Sequence, residues 1–395
     1  MTHAASTDDL SLIVGVGASA GGLDAFSELL SHLPVDTGMG FVLVQHLSPN
    51  QESLLGELLT RTTRMPVILV EDGMAVQANH VYVIPPNAQM TIAQGQLHLA
   101  TCDQTQGRLK TIDIFFQSLA ADQKHKAVAI VLSGSNNDGA VGVQAIRAEG
   151  GIVFAQDRTT AEFAEMPVAA IETGSVDFVL SPAGIAEELV KIKRHPYLQR
   201  PTTPQAESEE ALPIADEELV NVFRLLQRQT GVDFSSYKST TFQRRLRRRM
   251  ALQQCANLGE YIQYLQDDPG KIQALYQDIL ITVTSFFRDP EMYAALQERV
   301  FPLLLQQPNA ASSLRIWVPG CATGEEAYSL AICILECLQP LLINPTIQIF
   351  GTDISDKAIE VARVGFYQET QMENVSVERR NRFFNEVNRG YQVCP

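Results

Sequence analysis

A serine inside a glycine-rich turn is the residue best suited to do chemistry in this chain. Residues 15–22 read Gly-Val-Gly-Ala-Ser-Ala-Gly-Gly, with an apolar run before them and the amphipathic stretch 23–33 after them. This order predicts a strand, a tight turn and a helix. Within it, residues 17–21 fit the G-x-S-x-G pattern that exposes a serine hydroxyl at the end of a strand. Ser19 is therefore a candidate nucleophile, and N–H groups at the start of the following helix could hold an oxyanion.

The same turn fits two other interpretations. Gly15, Gly17 and Ala20 match the dinucleotide-binding fingerprint, which expects an acidic residue at the end of the next strand. A plain tight turn is the third interpretation. The next predicted strand, 41–45, ends in His46 instead of an acid. A histidine does little for a cofactor ribose, whereas a serine nucleophile needs a base, so His46 favours the nucleophile.

A third polar residue follows another buried strand. The apolar run 127–132 leads into Ser-Gly-Ser-Asn-Asn-Asp-Gly, in which the acid is Asp138. Because the carboxyl ends of parallel strands share one edge of a sheet, Ser19, His46 and Asp138 are predicted to lie together. A Ser-His-Asp triad needs a nucleophile, a base and a carboxylate that orients the base. A turn or N-cap role for Asp138 stays open, since it precedes a glycine and a helix.

Alternating strands and helices must position these residues, which predicts an α/β fold with a doubly wound, mostly parallel sheet. His80 and His125 precede strands and are therefore placed at the opposite edge of that sheet. Residues 81–86 and 90–100, with a turn at Gln94-Gly-Gln, suggest a β-hairpin excursion. Further strands are predicted at 66–71, 151–155 and 176–180.

Composition narrows the class of protein. A length of 395 residues predicts two or three domains, and the net charge of −15 argues against nucleic-acid binding by the whole chain. No apolar run reaches the ~18 residues that cross a bilayer, and no signal-peptide core is visible at the N-terminus. The six cysteines are scattered without a C-x-x-C pair. We therefore expect a cytoplasmic protein with no metal site, no disulfide framework and no membrane insertion.

Residues 10–193 resemble the catalytic domain of the bacterial chemotaxis protein-glutamate methylesterases. The resemblance implies that nucleophile, base and orienting acid fall on Ser19, His46 and Asp138. Two positions depart from the family pattern: Ala20 stands where a threonine is usual, and Ser135-Asn136 where Met-Gly is usual. Both lie beside the expected oxyanion site. The matching segments are Gly17–Gly22, Val44–His46, Val81–Asn87, Ser133–Gly139, Gly150–Asp157 and Met166–Pro167.

The amino-acid composition of the chain changes after residue 195. Residues 196–213 are rich in Pro, Glu and Ser and predict a linker, and four helices are expected near 215–229, 240–255, 258–267 and 270–281. The second helix contains Arg-Arg-Leu-Arg-Arg-Arg at 244–249. Such a run is either a solvated helix face or a docking surface for an acidic partner, which could be nucleic acid or a glutamate-rich helix bundle.

A second glycine-containing turn follows the predicted strand 314–318. It contains Gly320 and Gly324 and leads into a helix, and the next strand ends in Asp353. A turn of this kind, with an acid after the second strand, is typical of the nucleoside-binding half of a doubly wound sheet. An acidic residue at this place can accept hydrogen bonds from ribose hydroxyls.

This second half resembles the chemotaxis receptor methyltransferases, which use S-adenosylmethionine. The segments Thr-Ser-Phe-Phe-Arg at 284–288, Gly-Cys-Ala-Thr-Gly-Glu-Glu at 320–326 and Thr-Asp-Ile-Ser at 352–355 carry the resemblance. It implies a catalytic role for Arg288, and a receptor-docking role for the basic helix. The implied cofactor contacts are Thr282, Thr284, Arg288, Gly320, Glu326 and Asp353. The implied docking residues are Arg244, Arg245, Arg247, Arg248 and Arg249.

Together these features predict an esterase–methyltransferase fusion that acts on glutamates of chemoreceptors or similar sensory helices. The expected parts are an esterase domain at 10–195, a linker at 196–213, an all-α domain at 214–288 and a Rossmann-like methyltransferase domain at 289–395. The last part is expected to be incomplete, since the family continues with further strands. A signalling scaffold, whose methyltransferase half only binds receptor or cofactor, is the alternative. An RNA-binding role for the arginine helix is the least favoured, and no nucleic-acid partner is expected.

Overall fold

The computed structural model divides the chain into two compact units, Met1–Ile279 and Leu280–Pro395. It describes residues 10–45, 55–101, 110–195, 197–198, 216–280, 284–305, 313–339, 345–372, 374–387 and 390–394. His46, Thr282 and nearly all of the predicted linker lie outside these ranges. Within the described residues, none of the helices is long and apolar enough to span a membrane.

The first unit is built on a seven-stranded parallel sheet. Its central strands are apolar on both faces and fully buried, as expected when helices cover both sides of a parallel sheet. The α/β fold class predicted from the sequence is confirmed. The strands of this sheet are β1 (Leu12–Ala18), β2 (Met39–Gln45), β3 (Val67–Leu69), β5 (His80–Val83), β8 (Ala127–Val131), β9 (Ile152–Gln156) and β10 (Phe178–Leu180), in the order β10-β9-β8-β1-β2-β5-β3.

Helices pack on both faces of this sheet. One core contains α1, α2 and α6, and the other contains α3, α4 and α5. These helices are α1 (Gly22–Ser31), α2 (Leu55–Leu59), α3 (Thr111–Gln123), α4 (Ala140–Ala148), α5 (Glu165–Glu172) and α6 (Pro182–Ile192), with a 3₁₀ turn at Lys124–Lys126.

Two glycines of β1 are explained by the packing of α3. Gly15 and Gly17 lie inside the strand rather than in the turn. A Cβ at Gly17 would lie 2.5 Å from Ile112, and one at Gly15 would lie 3.0 Å from Phe115 and Phe116. The close approach of α3 to the strand therefore accounts for the glycines that match the dinucleotide fingerprint.

The strand order reverses between β1 and β8. From β1 the chain moves to β2 on one side, and it later returns to place β8 on the other side. In such sheets the crevice at the carboxyl ends of the two strands flanking this point is the usual ligand site. The residues that follow β1 and β8 therefore border the main candidate crevice of the unit.

A small antiparallel sheet lies beside the main one. It contains β4 (Met74–Ala75), β6 (Ala88–Ala93) and β7 (Gln96–Thr101) in the order β4-β7-β6. Gln94 and Gly95 form the hairpin turn with φ of 53° and 71°, as the right-handed twist of a two-residue hairpin favours. The hairpin was predicted, but the 81–86 segment grouped with it was not correctly placed, because β5 pairs in parallel with β2 and β3 of the main sheet.

In the part of the first unit after residue 215 that the structure describes, four helices form a bundle. Its helix α8 carries the arginine run, and Ala251 and Leu252 at the end of α8 belong to the same hydrophobic core as α1 and α6. The bundle and the sheet therefore share buried apolar surface. The helices are α7 (Asp216–Thr230), α8 (Ser239–Leu252), α9 (Leu258–Gln266) and α10 (Pro269–Ile279).

Two of the arginines of α8 are buried between the bundle and the sheet. Arg248 is 0% exposed and Arg245 is 2% exposed. Arg248 Nη1 contacts both oxygens of Asp278 at 2.9 and 3.0 Å, and Nη2 contacts Asp177 at 2.5 Å. Arg147 of α4 bridges the same two carboxylates, with Nη2 2.7 Å from Asp278 and Nη1 3.5 Å from Asp177. Two arginines and two aspartates thus form a four-charge cluster.

Arg245 binds the end of a helix. Its Nη1 and Nη2 donate to the carbonyls of Arg147 and Ala148, each at 2.9 Å, in the last turn of α4. A cation at a helix C-terminus is stabilised by the unpaired carbonyls and the helix dipole. The prediction that Arg245 and Arg248 dock an external acidic partner is therefore wrong, because carboxylates and carbonyls of this same chain occupy both side chains.

The bundle contacts the sheet at the amino ends of the strands, whereas Ser19 lies at a carboxyl end. Arg248 Nε donates to the carbonyl of Gly151, just before β9, and Asp177 lies just before β10. Ser19 directly follows the carboxyl end of β1. Since the strands are parallel, the four-charge cluster and the serine lie at opposite ends of the sheet.

The second unit holds a two-stranded parallel sheet and a three-stranded antiparallel sheet in the described residues. Its core includes Phe286, Phe287, Tyr293 and Tyr367. Its helices are α11 (Pro290–Ala295), α12 (Phe301–Leu305), α13 (Glu325–Leu338), α14 (Asp356–Val364) and α15 (Val377–Phe383), with a π-helix at Leu296–Val300 and a 3₁₀ turn at Glu369–Met372. Its strands are β11 (Ser313–Pro319) paired with β12 (Thr346–Thr352), and β13 (Phe366–Gln368), β14 (Phe384–Val387) and β15 (Gly390–Val393) in the order β13-β15-β14.

Candidate active site

Ser19 is fixed where three elements meet. It follows β1, and its N–H donates to the carbonyl of Ser133 in the loop after β8, at 2.9 Å. Its carbonyl accepts the N–H of Gly22 at 3.0 Å and Nε2 of Gln45, the last residue of β2, at 3.2 Å. Gly21 has φ of 70° and precedes α1, so the chain turns sharply behind the serine. This is the strand–turn–helix context that the G-x-S-x-G pattern requires.

Ser133 ties the turn that contains Ser19 to the loop after β9. Its Oγ donates to the carbonyl of Ala20 at 2.8 Å and accepts the N–H of Phe163 at 3.0 Å. Its own N–H donates to Oε1 of the buried Gln156 at 2.9 Å. Three carboxyl-end loops are therefore linked by hydrogen bonds of buried polar groups.

Gly134 allows the Met166 side chain and Ser19 to lie close to its backbone. A Cβ at Gly134 would lie 2.0 Å from Sδ of Met166 and 3.1 Å from Cβ of Ser19. The Met166 side chain therefore packs over the Gly134 backbone next to Ser19, and only glycine leaves that space. Met166 N–H also donates to the Gly134 carbonyl at 3.0 Å.

Asp138 lies at the same edge of the sheet, and its carboxylate caps the N-terminus of α3. It is 3% exposed, and its carboxylate accepts the N–H of Ile112 at 2.9 Å and of Asp113 at 2.8 Å, in the first turn of α3. Its own N–H is held by Oδ1 of Asn136 at 2.9 Å. Asp138 is therefore not the N-cap of the helix that follows it, whose N-cap is Gly139, and its carboxylate instead caps the start of α3. His46 lies outside the described residues, so its pairing with Ser19 and Asp138 stays a prediction.

Asp113 is a buried acid that the sequence analysis missed. It is 3% exposed, its Oδ1 accepts the N–H of Gly142 in the first turn of α4 at 2.7 Å, and its Oδ2 lies 3.8 Å from Nζ of Lys110. Burial, with a further contribution from the charge of Asp138, raises the pKa of Asp113 to about 6. An acid flanked by apolar residues at the start of a helix was the signal that could have identified it.

This raised pKa predicts a pH-dependent stability. Because the pKa is higher in the folded chain than in the unfolded chain, the stabilisation from protonated Asp113 is complete below about pH 4 and is lost as the pH rises through about 6. Asp113→Asn removes this dependence. We therefore expect the melting temperature of the variant, relative to the wild type, to increase between pH 4 and pH 7.5. A constant difference across this range, measured by thermal melts, would contradict the prediction.

The second candidate site lies at the carboxyl ends of β11 and β12. The turn after β11 contains Gly320, Ala322 and Gly324 with φ of 69°, 46° and 98°. Asp353 ties this turn to the next strand, since its Oδ2 accepts the N–H of Ala322 at 2.9 Å and its Oδ1 that of Ser355 at 2.8 Å. Each carboxylate oxygen has a second lone pair, so Asp353 can still accept hydrogen bonds from ribose hydroxyls.

A mostly apolar cavity adjoins this turn. It has a volume of about 530 Å³ and lies between α13, β12 and α14. Cys321 and Gly324 of the turn line this cavity, together with apolar residues such as Ile347 and Ile349. The glycine-containing turn and the acid after the second strand fit S-adenosylmethionine. Gly320, Glu326 and Asp353 do not line the cavity itself.

The segment 284–288 is held against the first turns of α13. The Phe287 N–H donates to Oγ of Ser329 at 3.1 Å, and Phe286 packs edge-on against Tyr367. The hydroxyl of Tyr367 donates to the carbonyl of Thr323, in the glycine-containing turn, at 2.7 Å. The two phenylalanines therefore anchor the segment in the core. Thr284 is half-buried, Arg288 and Glu326 are exposed, and Thr282 lies outside the described residues.

Gln45, Ser133 and Gln156 are the supporting residues that were not singled out from the sequence as part of the site. Each lies at or just past the carboxyl end of a strand of the main sheet. A polar residue directly after a buried apolar strand was the available signal. In the described residues, no group of His, Cys, Asp and Glu side chains is arranged to hold a metal ion.

Comparison with known families assigns each part of the chain. The CheB methylesterase family matches residues 14–189, the all-alpha domain of CheR methyltransferases matches residues 217–280, and the SAM binding domain of CheR methyltransferases matches residues 282–395. The resemblance to both families noted from the sequence is therefore confirmed.

Individual relatives agree with these matches. A putative protein-glutamate methylesterase/protein-glutamine glutaminase of Leptospira interrogans is 32% identical over 47% of this chain and 96% of that protein. A chemotaxis protein methyltransferase of Listeria monocytogenes is 30% identical over 47% of this chain and 68% of that protein. A 104.1 kDa protein of Rhodobacter capsulatus is 38% identical over 86% of this chain, and the chain spans 37% of that relative's length. The crystal structure of the Thermotoga maritima CheB methylesterase catalytic domain is 29% identical, covers 46% of this chain and has a TM-score of 0.43.

Proposed function

Because the chain belongs to the CheB methylesterase family through residues 14–189 and to the CheR methyltransferase family through residues 217–280 and 282–395, we propose that it both removes and adds methyl groups on glutamates of chemoreceptors. The observation that carries the esterase part is Ser19, which follows β1 at the point where the strand order reverses. The scattered cysteines support a cytoplasmic location as part of this proposal.

In the proposed esterase reaction, His46 takes the proton of the Ser19 hydroxyl as the oxygen attacks the ester carbonyl. N–H groups at the start of α1 stabilise the oxyanion of the tetrahedral intermediate. Collapse of the intermediate breaks the bond to the methoxy group, which leaves as methanol with the proton from His46. Water then attacks the acyl-enzyme by the same route and releases the glutamate and Ser19. Asp138 holds the imidazole in the required tautomer.

The buried links around the serine support this mechanism. Ser19 is held by Ser133 and Gln45 through its backbone, which leaves its side chain free of those constraints. Fixed backbone donors next to the reacting carbonyl need no reorganisation during the reaction. Ala20 lies in this turn, and its carbonyl is already bound by Ser133 Oγ. The turn therefore keeps its shape without the threonine that is usual in the family.

For the methyltransferase part, we assign Gly320, Asp353 and Glu326 to cofactor binding, with Thr282, Thr284 and Arg288 on the segment anchored by Phe286 and Phe287. Bound S-adenosylmethionine supplies an electrophilic methyl group. Arg288, which is exposed, orients the glutamate carboxylate, and the carboxylate is already ionised and needs no base. Receptor recognition does not rest on Arg245 or Arg248, which are buried.

Two measurements test the two halves. Methanol release from a methylated chemoreceptor by the whole chain tests the esterase, and transfer of labelled methyl from S-adenosylmethionine to the unmethylated receptor tests the methyltransferase. Methanol release without methyl transfer, together with binding of S-adenosylmethionine, would support the alternative in which the methyltransferase half acts as a signalling scaffold. Absence of both activities would contradict the proposal.

Asp353→Asn is expected to weaken binding of S-adenosylmethionine roughly ten- to 150-fold, since a charge-assisted hydrogen bond to the ribose contributes about 1.5–3 kcal/mol. Isothermal titration calorimetry measures the change. The matched control is Asp356→Asn, which removes an exposed acid three residues further on in the first turn of α14. Equal affinities for the wild type and the Asp353 variant would contradict the assignment of Asp353.

A further inference from the structure

Asp113 and Asp138 cap each other's helices. Asp138 accepts the N–H groups of Ile112 and Asp113 at the start of α3, and Asp113 accepts the N–H of Gly142 at the start of α4. Asp138 itself lies directly before the N-cap residue of α4, Gly139. Each carboxylate therefore binds the N-terminus of the helix that starts next to the other carboxylate. This reciprocal capping is the feature from which the inference starts.

This reciprocal capping makes the position of Asp138 depend on Asp113. The two helices pack closely at this point, since a Cβ at Gly142 would lie 3.2 Å from Cα of Asp113 and 2.5 Å from Cβ of Phe116. The Asp113 carboxylate holds the first turn of α4, and the loop that carries Asp138 runs directly into that turn. A change at Asp113 therefore moves the start of α4 and the acid before it.

The cost of burying Asp113 indicates a role beyond packing. Oδ2 of Asp113 is buried and has no hydrogen-bond partner among the described residues, and its nearest cation is Lys110 Nζ at 3.8 Å. An apolar residue at this position would avoid the cost of a buried carboxylate. Capping of Gly142 engages Oδ1, and Oδ2 faces Lys110.

We propose that Asp113 is a positioning residue of the esterase, which acts through Asp138 by reciprocal capping and places a second negative charge behind the acid that orients His46. This proposal rests on the proposed function, in which His46 is the base and Asp138 orients it. Among the described residues, the charged groups that face Asp113 are Asp138, before α4, and Lys110, before α3.

The direction of the effect follows from the charges. A carboxylate near an imidazole favours the imidazolium and raises the pKa of the base. Since only the neutral imidazole accepts the serine proton, the rate kcat/KM falls on the acid side of that pKa. Removal of the Asp113 charge lowers the pKa of the base, so the acid limb of the profile shifts to lower pH. Removal of the Lys110 charge shifts the limb to higher pH.

The test is the pH profile of kcat/KM for methanol release from a peptide carrying a glutamate methyl ester, with the full chain. Asp113→Asn retains an acceptor oxygen for Gly142 and is expected to shift the acid limb to lower pH by about half a unit. Asp113→Ala also removes the acceptor and is expected to lower the plateau about tenfold. The matched control is Asp122→Asn in the same helix, whose carboxylate accepts the N–H groups of Gln94 and Gly95 at the far end.

The outcomes are distinct. A shift in Asp113→Asn that is absent in Asp122→Asn supports the proposal. An unchanged limb, in an enzyme whose activity requires Ser19, overturns the role of Asp113 and leaves the proposed function intact. Activity that does not require Ser19 overturns both. If Asp113→Asn does not fold, the Lys110→Met variant provides the test, since the Lys110 side chain is 29% exposed. If the acid limb of the kcat/KM profile of Lys110→Met does not move to higher pH, the proposal is overturned.

Discussion

Methanol release from a methylated chemoreceptor is expected to fall at least about a thousandfold in Ser19→Ala. The variant removes only the hydroxyl oxygen, and the backbone links of Ser19 to Ser133, Gly22 and Gln45 do not involve the side chain. The turn should therefore keep its shape while the nucleophile is absent. The measurement is the initial rate of methanol production by the whole chain, with the melting temperature as a check on folding.

The control for this variant is Ser31→Ala. Ser31 is the last residue of α1 and is exposed, and its Oγ donates to the carbonyl of Glu28 and lies 3.2 Å from Nδ1 of His32. Its replacement removes the same hydroxyl oxygen from an exposed serine outside the turn and should leave the rate within about twofold, since surface substitutions have small effects. Rates that fall equally in both variants, or in neither, would contradict the assignment of Ser19 as the nucleophile.

The second large effect is on stability. Arg248→Ala is expected to lower the free energy of unfolding of the first unit by about 3–5 kcal/mol, because it leaves buried carboxylates without their main cation. The side chains of Asp177 and Asp278 are only 3% and 1% exposed, and Arg147 remains as their single partner in the cluster. Urea denaturation followed by circular dichroism measures the change.

Arg247→Ala is the matched control. Arg247 lies next to Arg248 on α8, is half-buried, and donates to Gln243 within the same helix. Its loss should cost about 1 kcal/mol or less, as for exposed polar contacts. A double variant, Arg248→Met with Asp278→Leu, should recover part of the lost stability because it removes both members of a buried pair. Equal effects of the Arg247 and Arg248 variants would show that the four-charge cluster does not hold the bundle to the sheet.

The same cluster gives a pH dependence of known sign. Burial acts to raise the pKa of Asp278, but Arg248 and Arg147 outweigh it and lower the pKa below its ordinary value. A lowered pKa in the folded chain means that this stabilisation is present above the pKa of the unfolded state, about 4, and is lost as the pH falls further. The cost of Arg248→Ala should therefore be larger at pH 7 than at pH 3.

The sequence by itself determined the elements and the edge of the sheet at which the chemistry lies. Apolar runs of strand length alternate with amphipathic stretches, and this local pattern fixes a parallel sheet with Ser19 and Asp138 after the carboxyl ends of strands. The Gln94-Gly95 turn and the position of Asp353 after β12 were predicted from equally local signals. Such features depend on neighbours in the chain, so a reader of the sequence can find them.

The tertiary structure alone decided which groups each charged side chain meets. The arginine run predicted a basic surface, but Arg245 and Arg248 are buried by α4 and by Asp177, which lies 71 residues away from Arg248 in the sequence. Asp138 was predicted to cap its own helix or to orient a base, and its carboxylate caps α3 from a distance of 26 residues. The partner of a charge is set by how helices and strands pack, and spacing along the chain carries no signal for contacts at such separations.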